Sequence, residues 1–324
     1  MAETTYIEAI RQGIWEEMER DENVFVLGED VGVYGGAFKL TAGMLDHFGP
    51  ERVIDTPISE SAIVGAAIGA AYVGMRPIAE MQFIDFISCA FDQITNFAAK
   101  SRYRWGAGVP IVIRGPSGGN THGGPFHSQN VESYFYNTPG IKIVQPSTAY
   151  DAKGLIKAAI RDEDPVLYLE HKYLYRRIKE ELPEEDFVVP IGKAAVRREG
   201  NDLGIITYGA MVYTALDAAE ILAKDGVQTE VLDVRSLQPL DEEALLATAM
   251  KTNKVIVLHE ACLTGGTGGE LAARIAEKAF DFLDGPVVRV AAKDTPVPYS
   301  PPLEQAFLPQ VEDVVEAARK LLAY

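Results

Sequence analysis

Asp55-Thr-Pro-Ile-Ser-Glu60 runs directly into Ser61-Ala-Ile-Val-Gly65, and small residues continue through Ala66, Ala67, Gly69, Ala70, Ala71 and Gly74. A polar loop bearing an acid, followed at once by an apolar stretch rich in Gly and Ala, reads as the entry to a close-packed buried helix with Glu60 in its first turn. An acid in that place complements the helix dipole and often serves only as a cap. Company draws Glu60 toward chemistry: a second apolar run from Pro77 to Phe91, and His122 and His127 in a Gly-rich loop.

Outward from this stretch, strand and helix patterns alternate. Thr5 to Arg20 reads as an amphipathic helix, Asn23 to Leu27 as a short buried strand ending at Gly28-Glu29-Asp30, Thr41 to Phe48 as a helix and Arg52 to Ile54 as a second strand. Arg76 to Glu80 is a third strand, with Gln82 and Phe86 just beyond it; Ile87 to Ser101 reads as a helix and Pro110 to Arg114 as a strand whose unbroken apolar character suits a sheet covered on both faces. The Gly-rich loop that ends at His127 is too long and irregular for a regular element, and such loops inside compact domains are usually functional. Strands at Lys142 to Gln145 and Val166 to Glu170 flank a helix at Asp151 to Arg161. This alternation predicts a doubly wound parallel sheet over residues 1–178.

Residues 179–192, with Lys179-Glu-Glu-Leu-Pro-Glu-Glu-Asp186, read as an acidic extended linker. A second α/β domain fills residues 193–324, with strands at Leu203 to Tyr208, Thr229 to Asp233, Lys254 to His259 and Val287 to Ala291, helices at Val212 to Lys224 and Glu242 to Thr252, and a closing helix at Glu312 to Tyr324.

Composition narrows the function classes. Thirty basic against 47 acidic side chains give a formal charge of −17, which excludes a nucleic-acid backbone or an anionic membrane as the expected partner and favours a basic protein partner. Cys89 and Cys262 are the only cysteines, too few for a disulfide framework, so a reducing cytoplasm is expected. The N-terminal residues lack a signal-peptide pattern, and no apolar run approaches the ~20 residues needed to span a bilayer.

Seven strings occur in order: Gly28-Glu-Asp-Val-Gly32, Asp55-Thr-Pro-Ile-Ser-Glu60, Arg76-Pro-Ile-Ala-Glu80, Phe91-Asp-Gln-Ile94, His127-Ser-Gln129, Pro139-Gly-Ile-Lys-Ile-Val144 and Asp151-Ala-Lys-Gly-Leu155. With them the chain resembles the beta subunit of the thiamine-diphosphate-dependent decarboxylating component of 2-oxo acid dehydrogenase complexes. The resemblance implies a pyrimidine-binding α/β domain followed by a C-terminal domain like that of transketolase. It also implies roles for residues. Glu60 would hydrogen-bond the aminopyrimidine ring, and Glu29, Ile58, Ser59, Gln82 and Phe86 would lie around the cofactor. Glu29 would belong to a polar path joining paired sites, and Phe86 and His127 would face substrate, His127 at the thiazolium as a second catalytic group. A carboxyl in a dry pocket holds a proton near neutral pH, as the Glu60 role requires, and an imidazole can offset a carboxylate or pass protons. His122 is a neighbour with a less specific motif. Potassium on the backbone carbonyls of Ile111, Ala159 and Asp162 is a further implication.

Enzymes of this superfamily hold Mg²⁺ and the diphosphate on a Gly-Asp-Gly string, and none occurs here. The resemblance therefore implies an alpha subunit carrying that half, in an α2β2 heterotetramer, and a lipoyl acyltransferase core reached through a basic peripheral-subunit-binding domain. Gln93-Ile-Thr-Asn96, Arg102-Tyr-Arg104 and His259-Glu-Ala-Cys-Leu-Thr-Gly-Gly266 favour a branched-chain substrate over pyruvate. Two readings of other classes stand beside this one: a non-catalytic docking subunit, and a nucleotide-binding oxidoreductase using Thr264-Gly-Gly-Thr-Gly-Gly-Glu270 at a helix start. The latter string lacks the full dinucleotide spacing.

Overall fold

The structure, a computed structural model, describes residues 3–324. It divides into two compact units, the first taking the chain to Ser117 and again over Tyr134–Ile191, the second taking Gly118–Ser133 and Gly192–Tyr324. The Gly-rich histidine loop thus belongs to the second unit although it lies in the first half of the sequence.

The first unit is built on six parallel strands: β1 (Val24–Gly28), β2 (Val53–Asp55), β3 (Arg76–Glu80), β4 (Val112–Ser117), β5 (Lys142–Val144) and β6 (Val166–His171), in the order β5-β6-β4-β3-β1-β2. β1, β4 and β6 are buried along their whole length, the mark of a parallel sheet covered by helices on both faces. Helix α1 (Tyr6–Arg20) starts where the Thr5 side chain accepts a hydrogen bond from the Glu8 amide, and buries Ile7, Ile10, Ile14 and Met18. Helix α2 (Glu60–Tyr72) is less enclosed than its composition suggests. It buries Ile63, Val64, Ala67, Ile68 and Ala71, while Ser61, Ala62, Ala66 and Gly69 face solvent in this chain. Small apolar residues ran all round the helix, so the sequence offered no polar face by which to recognise its open side.

The expected helix over Ile87 to Ser101 is helical throughout but not regular α. A 3₁₀ stretch at Ile84–Ala90 passes into a π stretch at Gln93–Ala98, and Ser101–Trp105 closes as α. The Thr95 hydroxyl bonds the Phe91 carbonyl at 2.8 Å, and the Ala99 amide reaches back five residues to the Ile94 carbonyl at 2.9 Å. Helix α3 (Ala149–Arg161) packs on α1, with Lys153 and Lys157 both paired to Glu16. Residues 179–191 stay with this unit, where Lys179–Glu180 pairs antiparallel with Thr4–Thr5 and Leu182 and Val189 are buried.

The second unit carries β7 (Ala195–Arg198), β8 (Leu203–Thr207), β9 (Thr229–Asp233), β10 (Val255–Cys262) and β11 (Val288–Ala292) in the order β11-β10-β8-β9-β7. All pairs are parallel except the edge strand β7, which runs antiparallel to β9. Helices α4 (Met211–Lys224), α5 (Glu242–Thr252), α6 (Gly268–Lys278) and α7 (Val311–Leu322) cover the sheet, and a short helix at Pro301–Phe307 precedes α7. Among the described residues no helix is long and apolar enough to cross a membrane.

Candidate active site

Three neighbouring strands of the first unit deliver the flagged residues. β1 lies between β2 and β3, so Gly28, Asp55 and Glu80 stand side by side at the carboxyl edge of the sheet. The chain leaves β1 toward β2 on one side and returns to β3 on the other, and open α/β sheets bind ligands in the crevice such a reversal creates. Glu29 follows β1, Glu60 opens α2 after β2, and Gln82 and Phe86 follow β3. Residues scattered over nearly 60 positions are thereby gathered at one edge.

Short polar contacts fix these loops. The Thr56 amide donates to the Gly28 carbonyl at 2.9 Å. The Asp55 carboxylate accepts from the Gly32 and Val33 amides at 2.6 and 3.1 Å, and a Cβ at Gly32 would lie 2.7 Å from that carboxylate, so only glycine permits the approach. Gln82 Nε2 donates to Asp30 at 2.9 Å, tying the loop after β3 to the loop after β1. Ser59 caps α2 without a side-chain bond, and its backbone amide serves the Glu29 carboxyl instead.

Glu29 is the electrostatic centre of the crevice. Burial pushes its carboxyl up from the usual range, the Glu60 and Asp30 charges add to the rise, and the Ser59 amide opposes it. Its Oε1 is buried and has no hydrogen-bond partner. Glu60 and Phe86 are half-buried beside it in sequence space no longer, but on adjoining loops of the same edge, and Ile58 is 83% exposed. A buried carboxyl lacking a partner, a second carboxyl electrostatically coupled to it and an aromatic ring suit a flat heterocycle with hydrogen-bonding edges. These residues fit the aminopyrimidine half of thiamine diphosphate. Among the described residues no group of three or more His, Cys, Asp or Glu side chains has the arrangement to hold a metal ion.

Behind the crevice sits a charged clamp that the sequence did not announce. Arg114 on β4 lies opposite Glu80 on β3 and is hydrogen-bonded to Glu80 and to Glu170 on β6, all three buried. Tyr175 donates to Glu170 at 2.6 Å. Burial pushes the Glu80 carboxyl up against the pull of Arg114, while burial of Arg114 is outweighed by the Glu170 and Glu80 charges, which keep it protonated.

The remaining sites fall elsewhere. His127 lies half-buried in the loop that belongs to the second unit. The carbonyls of Ile111, Ala159 and Asp162 each accept one protein hydrogen bond, from Val166, Asp162 and Arg76, which leaves each a second lone pair. In the Thr264–Glu270 string the His259 ring lies under the backbone: a Cβ at Gly268 would stand 2.3 Å from His259 Cδ2 and one at Gly266 2.5 Å from Cε1. Those glycines make room for an imidazole, and the Thr264 amide is already taken by the Asp294 carboxylate at 2.8 Å, an acid where a phosphate cradle would keep its amides open. Asp55, Arg114, Glu80, Glu260 and Glu304 are the working residues that sequence reasoning passed over; Asp55 alone had a signal, as the first residue of the string ending at Glu60.

Residues 2–177 match the family described as transketolase, pyrimidine binding domain, and residues 192–314 the transketolase C-terminal domain. The 2-oxoisovalerate dehydrogenase subunit beta of Bacillus subtilis (strain 168) is 55% identical over 328 residues, covering 100% of this chain and 99% of that one. The pyruvate dehydrogenase E1 component subunit beta of the same strain is 47% identical over 326 residues, covering 100% of each. A solved structure, the split gene transketolase in its inactive beta4 tetramer, superposes with a TM-score of 0.81 at 26% identity, covering 99% of each chain.

Proposed function

The chain belongs to the beta subunits of the decarboxylating component of 2-oxo acid dehydrogenase complexes, and from that membership we propose that it forms, with an alpha subunit, an active site that decarboxylates a branched-chain 2-oxo acid and passes the acyl group to a lipoyl group of the acyltransferase. The observation that carries this reading is the crevice at the β1, β2 and β3 ends, where a partnerless buried Glu29 oxygen is coupled to Glu60. Thiamine diphosphate, when bound, supplies the electron sink that decarboxylation needs. Glu60 hydrogen-bonds the pyrimidine ring nitrogen and holds the proton shared with it; Glu29, Ser59 and Gln82 orient the polar edge, and Ile58 and Phe86 exclude water from the ring faces. His127 offsets the substrate carboxylate and passes protons.

The alpha subunit supplies the diphosphate and Mg²⁺ half in an α2β2 heterotetramer. Ile58 at 83% exposure, with Val73, Phe97 and Trp105 also exposed, is apolar surface of the kind a permanent partner covers. The Ile111, Ala159 and Asp162 carbonyls take a potassium ion with their remaining lone pairs. The formal charge of −17 favours docking of a basic peripheral-subunit-binding domain and disfavours nucleic acid and anionic membranes. Two free cysteines suit the cytoplasm. Branched-chain substrates are supported by 55% identity to the 2-oxoisovalerate subunit against 47% to the pyruvate subunit of the same organism. The test is CO₂ release by the coexpressed alpha–beta pair with 2-oxoisovalerate and with pyruvate. A higher kcat/KM for 2-oxoisovalerate is expected; preference for pyruvate would reassign the substrate, and release from neither would reject the function.

A further inference from the structure

The histidine loop of residues 118–133 is held within the second unit by two buried carboxylates from distant parts of the chain. Glu260, in β10, accepts from the Gly119 amide at 2.6 Å and from Asn130 Nδ2 at 2.9 Å through one oxygen. Glu304, in the short helix at Pro301–Phe307, accepts from the Asn120 amide at 2.8 Å and the His122 amide at 3.2 Å, and its Oε2 lies 2.7 Å from His122 Nδ1. Tyr299 packs on the loop from the same side: Gly124, at φ +67°, leaves no room for a Cβ, which would fall 2.2 Å from the ring. Asn120 and His122 both adopt left-handed backbone (φ 62° and 60°), a conformation the Glu304 bonds stabilise.

The His122 arrangement is specific. Glu304 is 1% exposed and acceptor-only when ionised, so it fixes Nδ1 as the protonated nitrogen, while the His122 side chain is 50% exposed and offers its other nitrogen, Nε2, outward. A buried carboxylate on one imidazole nitrogen sets the tautomer and favours the doubly protonated ring. We propose that the Glu304–His122 pair is an acid–base element of this chain that serves acyl transfer to the lipoyl group, with His122 as the proton donor and Glu304 as its positioning residue.

The proposal rests on the function proposed above. In that transfer the lipoyl S–S bond breaks, one sulfur takes the acyl group, and the other leaves as a thiolate that takes the proton from His122 Nε2. The two electrons come from the 2-oxo acid, whose carboxylate departs as CO₂, and solvent returns one proton to His122. His122 suits a reagent that arrives from solution because its ring is open to solvent while its opposite nitrogen is held from below.

The test uses the alpha–beta holoenzyme with a free lipoyl domain as acceptor, and in parallel an artificial electron acceptor that reports decarboxylation without the lipoyl group. Glu304→Gln, which presents an amide N–H where a carboxylate oxygen stood, is expected to lower kcat for lipoyl transfer about 100-fold, the scale of a lost general acid, with a much smaller fall in the artificial assay. His122→Asn is expected to do the same. The double variant is expected to be no worse than either single one, since Glu304 acts through His122, and Glu304→Asp is expected to recover part of the loss. Losses that multiply in the double variant, or that fall equally on both assays, would make Glu304 a loop staple only and overturn the pair. Full transfer by His122→Asn would overturn it too. An unmodified holoenzyme that decarboxylates no 2-oxo acid would overturn this inference together with the function on which it rests.

Discussion

Glu60 and Glu29 divide one task between an accessible acid and a buried one. Glu60 sits half-buried at the start of α2, where the dipole tolerates its charge, and Glu29 lies beneath, its carboxyl raised by burial and by Glu60. Glu60→Gln keeps the shape and removes the proton-sharing group. Decarboxylation by the holoenzyme is expected to fall about 100-fold or more, while assembly with the alpha subunit and the melting temperature change little. His259 makes a pH prediction at the same scale. Burial lowers its pKa to about 4 from 6.5, with Arg289 adding to the fall and the Ala261 backbone opposing it. Above pH 6.5 the ring is neutral in folded and unfolded chains alike; as pH falls toward 4 the unfolded chain takes a proton that the folded chain refuses, so stability drops by about 3 kcal/mol over that window. In urea titrations His259→Leu is expected to flatten the pH dependence between 6.5 and 4, and an unchanged slope would show that the ring is hydrated in solution.

Among the elements, the Arg114 clamp joins β3, β4 and β6 at the level where their loops begin. Arg114→Met leaves Glu80 and Glu170 buried without their counter-charge, and unfolding in denaturant is expected to show a loss of about 3 to 5 kcal/mol, part of it recovered by adding Glu80→Gln. A loss under about 1 kcal/mol would mean that the carboxyls simply take up protons. Elements of this kind mark the boundary of what sequence can say. Arg76–Glu80, Thr229–Asp233 and Glu242–Thr252 have the bounds that their apolar runs suggest, because flanking polar residues or glycines end them. The switch from 3₁₀ to π winding before Ser101 does not alter which residues are apolar, and so left no pattern to read. Strand β7 was missed for a different reason: as an edge strand with Arg197 and Arg198 half-buried, it has no apolar run. Glu60 was legible because motif and helix start coincide. Glu304 was not, since it meets His122 from 182 positions away and nothing in its own neighbourhood marks it.

At the scale of the molecule, the chain holds one half of a cofactor site and the surface of a subunit. It has a crevice suited to a pyrimidine ring, no Gly-Asp-Gly string for a diphosphate, and apolar side chains such as Ile58 and Trp105 turned outward. An incomplete site has too few contacts to hold a small ligand tightly, because most of the binding energy of a phosphorylated cofactor lies in its charge-assisted bonds. The most direct measurement is calorimetric titration of thiamine diphosphate with Mg²⁺ into this chain alone and into its complex with the alpha subunit. Binding by the complex at least about 100-fold tighter than by the lone chain, a difference of roughly 2.7 kcal/mol, is the expected result. Equally tight binding by the lone chain would contradict the half-site, because a complete diphosphate cradle would then have to exist within these 324 residues.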